Sequence, residues 1–384
     1  MMRRFKKLTE SRLGYSSGGL AIACALSAIV LIAGSVAVAL FLNNSSPPPE
    51  SVRLTDRPPA GLSDTIKPGP TTIKINLVGD VNFSDGWGGD VAHAHNDAVA
   101  AAFSPEILAS LQSADISYAN HEFTLSSRGT PLNKRYTFRA DPARVDYWKQ
   151  LGVDVVGLAN NHVYDYGEEA FFDTLDILSS HGINYVGAGY NLDEAMRPVY
   201  FDIDGYTIAF VAADRSQRSN EPRAPEARED SPGVLFCVDE SLFLAAVTHA
   251  HETADFVVAI PHWGIEESSV WEPAQQALGQ KLIDAGADAV VGSHPHVLQG
   301  VEFYNGKLIA YSLGNFWFNY LTTPTAILSI EITEGVPSFR LIGALQSEQH
   351  VLGSQEISQE VMDLMRKLSP NVSIDDNGLI AALA

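Results

Sequence analysis

The chain has 384 residues, of which 46% are hydrophobic and 18% are charged. It is therefore long enough to bury a large core, and this composition excludes wholesale disorder. The formal net charge of -21 at pH 7 argues against a basic nucleic-acid-binding surface, so we expect no nucleic acid partner. The two cysteines, Cys24 and Cys237, are too few for a disulfide scaffold or a zinc cluster built from thiolates.

The N-terminal region has the pattern of a membrane anchor. Residues 1–18 form a basic tail, and the 24 residues 19–42 are apolar apart from two serines. As a helix this stretch would be about 36 Å long, enough to cross the hydrocarbon layer. Basic residues before the span predict a cytoplasmic N-terminus and a single-pass cell membrane protein whose main domain is extracytoplasmic. A cleaved signal peptide is the alternative, because Ala37-Val38-Ala39 resembles a cleavage site, but the length of the stretch favours a retained anchor.

Residues 43–72 contain seven prolines, which predicts an extended and semi-stiff linker. Beyond the linker, short apolar runs typical of strands alternate with amphipathic stretches typical of helices. We therefore expect one domain over residues 73–345 and a C-terminal helical extension over residues 346–384.

The predicted elements indicate the fold class. Predicted strands cover residues 73–78, 115–119, 153–159, 184–186, 199–203, 207–212, 256–260, 289–291, 301–304, 308–312, 327–333 and 338–342. Predicted helices cover residues 98–113, 142–151, 168–180, 241–251, 273–285 and 356–368. Asp204-Gly205 and Asn305-Gly306 predict two hairpins. The pattern predicts an α/β fold, a mixed-sheet sandwich flanked by helices and preceded by one transmembrane helix.

Side chains of the types that bind metals follow five of these strands. The candidate ligands are Asp80, Glu122, Asn161, His262, His294 and His296. Ligands of α/β sheets bind where the carboxyl ends of strands meet, although polar loops are also common without chemistry. Oxygen and imidazole donors without thiolate suit Mn, Fe or Zn. Six donors fit two divalent ions bridged by a carboxylate, with His162 beside them as an acid or base.

Seven stretches within residues 73–320 also carry a family resemblance. They are Leu77-Val78-Gly79-Asp80, Tyr118-Ala119-Asn120-His121-Glu122, Tyr136-Thr137-Phe138-Arg139-Ala140, Gly157-Leu158-Ala159-Asn160-Asn161-His162 with Asp165-Tyr166-Gly167, His262-Trp263-Gly264 with Glu266, Gly292-Ser293-His294-Pro295-His296, and Tyr311-Ser312-Leu313-Gly314-Asn315-Phe316. In this order they resemble the CapA-type capsule and poly-gamma-glutamate synthesis proteins, a family related in fold to calcineurin-like metallophosphoesterases.

The resemblance implies a role for each matching position. Asp80 resembles the first metal-binding aspartate of that family. Further metal ligands are matched by Asn161, His262, His294 and His296. Glu122 resembles the bridging carboxylate, which is usually Asp in phosphoesterases. His162 resembles the histidine that assists chemistry, and Asp165 either orients His162 or caps the next helix. We expect Asn82, Asn120, Glu266 and Asn315 to support the ligands; for Glu266, a solvated loop is the alternative. Asn82 stands where the phosphoesterase motif has a histidine, which counts against a generic exported phosphodiesterase.

A basic segment precedes the central motif. Between positions 128 and 144 the chain has five basic residues and one acidic residue. The basic residues are Arg128, Lys134, Arg135, Arg139 and Arg144. Because arginine pairs with carboxylate and phosphate in a bidentate manner, we predict that Arg128, Arg135 and Arg139 bind an anionic polymer. A solvated loop is the alternative interpretation of this segment.

The resemblance implies a membrane-anchored protein of capsule or poly-gamma-glutamate biosynthesis or export. One hypothesis is a metal-dependent hydrolase that acts on an anionic polymer. The alternative is a non-catalytic polymer-binding or scaffold subunit. Under both hypotheses the expected partners are the membrane, poly-gamma-glutamate or capsular material, and other membrane subunits of capsule synthesis.

Overall fold

The computed structural model describes residues 72–216 and 222–383. The predicted basic tail, the predicted membrane span and all but the last residue of the predicted linker lie outside these residues. Within the described ranges, no helix combines the length and the apolar character needed to cross a bilayer.

Strands and helices alternate along the described chain as the sequence predicts, and both are numbered here in chain order. The strands β1 to β20 are Ile73–Val81, Ile116–His121, Thr124–Leu125, Arg139–Ala140, Val155–Gly157, Asn184–Val186, Ala188–Gly189, Val199–Ile203, Tyr206–Asp214, Gly233–Val234, Phe256–His262, Ala289–Val291, Val301–Tyr304, Lys307–Ala310, Asn315–Trp317, Thr323–Thr333, Val336–Ser347, His350–Leu352, Val372–Ile374 and Leu379–Ala382. The helices α1 to α8 are Asp90–Ala94, Pro105–Gln112, Asp146–Leu151, Glu168–Ser180, Leu192–Met196, Ser241–Thr253, Pro273–Asp284 and Gln355–Leu368.

Two large sheets form the body of the domain. In the described chain the first has the order β19-β20-β17-β16-β1-β2-β5-β6, with β15 paired to β1 and β18 to β17. Its strands β1, β2, β5 and β6 run parallel, so their carboxyl ends lie at one edge. The second sheet has the order β13-β14-β12-β11-β9-β8, and its central strands β9, β11, β12 and β14 are also parallel.

The two predicted hairpins are confirmed at the margins of the second sheet. Strand β8 pairs antiparallel with β9, and β13 pairs antiparallel with β14. The turn residues Asp204, Gly205, Asn305 and Gly306 all have positive φ, as two-residue turns between twisted strands require.

The side chains of β9 alternate between two cores, which confirms the sandwich with flanking helices. Ile208 and Phe210 belong to the core that both sheets share, and the Phe210 ring lies 6.2 Å from the ring of Tyr118 in the first sheet. Ala209 and Val211 face the opposite way, into a second core that contains Phe243 of α6. Burial of both faces explains why this strand is apolar along almost its whole length.

Two predicted segments differ from the structure. The helix predicted over residues 98–113 is a short 3-10 turn, Val99–Ala101, followed by α2. Pro105 accounts for the break, because proline lacks a backbone N–H and is best accommodated in the first turn of a helix. The C-terminal segment contains α8 but also adds short strands to the first sheet, with β20 pairing with β17. These strands have only three or four residues, too few to show a sequence period.

Gly79 is a position where only glycine fits. A Cβ atom there would overlap the carbonyl oxygen of Gly314, which accepts a hydrogen bond from the Asp80 N–H at 3.0 Å. Because a backbone carbonyl cannot rotate away, we expect Gly79→Ala to lower the free energy of unfolding by about 3 kcal/mol. Gly306→Ala, in an open turn, should cost only about 1 kcal/mol for its positive φ. Urea unfolding measures both, and equal effects would contradict the close approach.

Candidate metal centre

The two sheets bring the six predicted ligands to one edge of the sandwich. Asp80 lies near the end of β1, Glu122 follows β2 and Asn161 follows β5. From the second sheet, His262 ends β11, and both His294 and His296 follow β12. Because the parallel strands of both sheets end at this edge, residues far apart in sequence become neighbours.

The first group of donor atoms is centred on His262. Its Nε2 lies 2.9 Å from Asn161 Oδ1 and 3.1 Å from His294 Nδ1. Glu122 Oε1 lies 3.9 Å from the same nitrogen. The donor atoms of Glu122, His262 and His294 all lie within 4.8 Å of one another, a spacing that one ion can bridge.

The second group contains Asp80, Glu122 and His296, whose donor atoms also lie within 4.8 Å of one another. His296 Nδ1 is 3.3 Å from Asp80 Oδ2, and His296 Nε2 is 3.8 Å from Glu122 Oε1. Glu122 is thus common to both groups. It occupies the position expected of a bridging carboxylate.

The electrostatics of the cluster fit a divalent cation. Glu122 Oε1 is buried and has no hydrogen-bond partner within the described structure. Burial and the neighbouring Asp80 raise the pKa of Glu122, while burial and the neighbouring His294 and His296 lower the pKa of His262. Two adjacent carboxylates and an imidazole kept neutral at His262 suit a cation, which would remove the repulsion between the carboxylates and pair with the orphaned oxygen.

The backbone at the two histidines that follow β12 is strained. His294 has φ 99° and His296 has φ 62°. Residues other than glycine rarely adopt these backbone conformations. Such residues cost on the order of 1–3 kcal/mol each and cluster at ligand sites. The surrounding fold therefore holds this turn in a shape that directs both imidazoles at the acidic residues.

Three side chains hold the candidate ligands in place. Asn120 Nδ2 donates to Asp80 Oδ1 at 2.8 Å and to Glu122 Oε2 at 3.2 Å. Asn315 Oδ1 lies 2.9 Å from His296 Nδ1. Asn120 and Asn315 were predicted as supporting residues. The sequence analysis missed Ser293, whose Oγ lies 3.0 Å from His262 Nδ1.

Asn82 and Glu266 are the other two residues predicted to support the ligands. Asn82 is fully buried, but its Oδ1 accepts a hydrogen bond from the Ser84 N–H at 2.9 Å. Its Nδ2 has no partner within the described structure, so Asn82 shapes the turn after β1 without a hydrogen bond to the cluster. Glu266 lines a cavity that also contains His162 and His296.

His162 belongs to a buried chain of polar groups. Its Nδ1 lies 2.6 Å from Asp165 Oδ2, so Nδ1 carries the proton and Nε2 is the nitrogen available to a ligand. Burial lowers the pKa of His162 to about 4, although Asp165 acts in the opposite direction. The first turn of α4 has no side-chain cap, so of the two predicted roles for Asp165 the structure matches orientation of His162.

Lys134 completes this chain of groups. Its Nζ donates to Asp165 Oδ1 at 2.7 Å and to the Asn161 carbonyl oxygen at 2.8 Å. The side chains of Lys134 and Asp165 are 3% and 0% exposed. The sequence analysis placed Lys134 in a basic surface segment, whereas in the structure it neutralises a buried carboxylate beside the candidate ligands.

The other members of the basic segment have different side-chain partners. Arg128 pairs with Asp173, to which its Nε donates at 3.0 Å. Arg139 stacks on Tyr166 at 4.2 Å and Arg135 lies over Tyr136 at 4.9 Å. Arg144 is buried and bonds to the Phe83 carbonyl oxygen. Of the three residues predicted to bind substrate, Arg135 lies over a ring that lines the cavity beside His162.

Asp214 and Arg223 are two further residues near the centre that sequence reasoning missed. Asp214 ends β9, is aligned with His262 on β11, and is fully buried. Burial raises the pKa of Asp214 to about 6. Arg223 lines a small cavity together with Lys134, Asn161 and His162. Asp214 carries the same signal as the other candidates, a polar residue at a strand end, but the predicted strand stopped at residue 212.

A comparison with models of protein families identifies the family of this chain. The family model described as "Bacterial capsule synthesis protein PGA_cap" matches residues 74–320, more than half of the chain. The chain therefore belongs to this family.

Individual relatives match shorter stretches. The "PGA biosynthesis protein CapA" of Bacillus subtilis (strain 168) is 37% identical over 195 residues, which is 50% of this chain and 50% of that protein. The "Capsule biosynthesis protein CapA" of Bacillus anthracis is 37% identical over 188 residues, 46% of this chain and 43% of that protein. The chain thus spans about half the length of the curated relatives it matches.

A solved structure of a hypothetical protein from Thermus thermophilus aligns over 72% of this chain and 100% of its own, with 16% identity and a TM-score of 0.43. A similarity of this size does not assign a ligand or an activity.

Proposed function

We propose that this protein acts in the biosynthesis or export of capsular material or poly-gamma-glutamate, through a metal-dependent hydrolase-like site that acts on an anionic polymer. The observation that carries the proposal is the position of Glu122 in both donor groups. The names of the two Bacillus relatives support the biological process. In this proposal residues 19–42 anchor the chain in the membrane and the folded domain lies outside the cytoplasm.

The donor set would hold two divalent ions, of Mn, Fe or Zn. Asn161, His262 and His294 would hold one ion, Asp80 and His296 the other, and Glu122 would join them. Such ions would supply Lewis-acid activation of water and of the attacked carbonyl or phosphoryl group. Asn120, Asn315 and Ser293 would keep the donor atoms oriented.

His162 would transfer the proton. Because its pKa is lowered to about 4 by burial, the imidazole is neutral at pH 7 and can accept a proton at Nε2. Asp165 fixes the tautomer through Nδ1, and Lys134 balances the charge of Asp165. The proton taken up at Nε2 would then be donated to the leaving group.

The anionic part of the substrate would approach along the basic residues nearest His162. Arg223 and Lys134 line the small cavity that contains Asn161 and His162. Arg223 is exposed, so its guanidinium is accessible to a carboxylate or phosphate. In this proposal Arg223 adds to Arg128, Arg135 and Arg139, for which the sequence predicts the capture role.

His162→Gln tests the catalytic proposal. With Mn²⁺ and a gamma-linked glutamate oligomer as substrate, we expect the purified full-length chain to release shorter products. His162→Gln should lower kcat about 100-fold or more while metal content stays unchanged, because His162 is not among the donor atoms. His181→Gln, at an exposed position after α4, is the matched control. Full activity of His162→Gln would contradict the mechanism.

A non-catalytic role as a polymer-binding or scaffold subunit is the second candidate. Asn82 favours it, because this residue hydrogen-bonds to the Ser84 N–H at the position where the phosphoesterase motif has a histidine. The same experiment separates the two. Saturable polymer binding without any product from the wild-type chain would support the scaffold.

A further inference from the structure

A second feature of the centre is a cavity with aromatic walls. It has a volume of about 510 Å³ and reaches His162 and His296 at one end, a size typical of small-molecule sites. Five aromatic side chains line it: Trp87, Tyr136, Phe138, Phe318 and Tyr320. Its charged lining residues are Glu266 and Glu267, and in the described part of the chain no lysine or arginine is among the lining residues.

Four of the five rings, those of Trp87, Tyr136, Phe138 and Phe318, contact one another. The Trp87 ring lies 4.6 Å from Phe138 and 5.8 Å from Phe318, both in edge contacts. Tyr136 and Tyr320 are 41% and 56% exposed. Aromatic faces carry partial negative charge and attract cations. Arg135 already lies over the Tyr136 ring, with its guanidinium carbon 4.9 Å from the centroid.

The side-chain oxygens of the two asparagines that line the cavity are engaged within the protein. Asn315 Oδ1 lies 2.9 Å from His296 Nδ1. Asn319 Oδ1 accepts from Gln346 Nε2 at 2.8 Å and from the Leu321 N–H at 2.9 Å. A saccharide would need such groups for its hydroxyls, and an anion would need basic residues. The ring faces and the two carboxylates complement a positively charged group instead.

We propose that this cavity binds a ligand through an ammonium group, which lies over the aromatic faces and beside Glu267 and Glu266. The proposal goes beyond the hydrolase-like site, because the binding requires neither metal nor hydrolysis. It gives the centre two unlike sides. Lys134 and Arg223 line the small cavity beside His162, where the charges suit an anionic group, and the aromatic cavity that also reaches His162 suits an amine-bearing molecule.

Choline and its neutral isostere 3,3-dimethylbutan-1-ol test the proposal on the full-length chain. The two probes have the same shape and differ in charge. By calorimetric titration in the presence of a chelator, we expect choline to bind about ten-fold more tightly than the isostere, in the range of cation–π and carboxylate contributions. Equal affinities, or no saturable binding of choline, would overturn the proposal.

Two surface substitutions locate the binding. Tyr320→Ala and Glu267→Gln should each weaken choline binding about three- to ten-fold. In Glu267→Gln the affinity for the neutral isostere should stay nearly unchanged. Glu252→Gln makes the same charge change at an exposed position in α6 and should have no effect. Unchanged thermal unfolding would show that the variants fold. Choline affinity that is insensitive to both substitutions would place the binding elsewhere and overturn the proposal.

Discussion

Replacing Glu122 by Gln is expected to remove more bound metal than replacing either His294 or His296. Glu122 belongs to both donor groups, whereas each histidine belongs to one. His294→Ala and His296→Ala should therefore each retain part of the wild-type metal content. In Glu122→Gln both groups lose a charged oxygen donor, so we expect at least a ten-fold loss of affinity for Mn²⁺.

Equilibrium dialysis against Mn²⁺ followed by elemental analysis measures this ranking. Glu252→Gln is a suitable control, because it removes one negative charge on the exposed face of α6 and should keep the wild-type metal content. Glu122→Gln with wild-type metal content would contradict the bridging role. Complete loss of metal in only one histidine variant would show that the two groups are not equivalent halves of one centre.

Lys134→Met is expected to destabilise the fold strongly. Lys134 Nζ lies 2.7 Å from Asp165 Oδ1, and the two side chains are 3% and 0% exposed. Removal of the ammonium leaves the buried Asp165 carboxylate without its cationic partner, which typically costs about 3–5 kcal/mol of unfolding free energy. The double substitution Lys134→Met, Asp165→Asn removes the uncompensated charge and should recover much of this loss.

Urea unfolding in the presence of a chelator, so that metal binding does not contribute, measures the effect. Lys149→Met is the matched control, because Lys149 is 50% exposed and its ion pair with Asp146 is 3.7 Å long. This control should change stability by less than about 1 kcal/mol. A similarly small effect of Lys134→Met, or a double variant less stable than the single one, would contradict the buried pairing.

The candidate ligands could be predicted because each depends on local sequence. A buried strand is apolar along its length, so the polar residue that ends it stands out, as Asp80 does after Leu77 and Val78 and as His262 does at the end of β11. The parallel arrangement then brings such ends to one edge. This rule required no knowledge of which strands pair.

Partners that depend on tertiary packing could not be predicted. Lys134 and Arg144 belong to the same basic segment as the exposed Arg128 and Arg135, yet both side chains are buried against acceptors that come from other parts of the chain. Composition alone treats all five basic residues as equivalent. Asp214 was missed because the strand that delivers it was ended two residues early, and strand ends are the least certain feature of a pattern.

The most direct test of the Glu122-centred metal site is anomalous diffraction from crystals of the full-length chain or its folded domain grown with Mn²⁺. We expect two anomalous peaks, one among Asn161, His262 and His294 and one between Asp80 and His296, with Glu122 next to both. Peaks remote from Glu122 would contradict this metal site, and so would the absence of any peak from crystals grown with Mn²⁺.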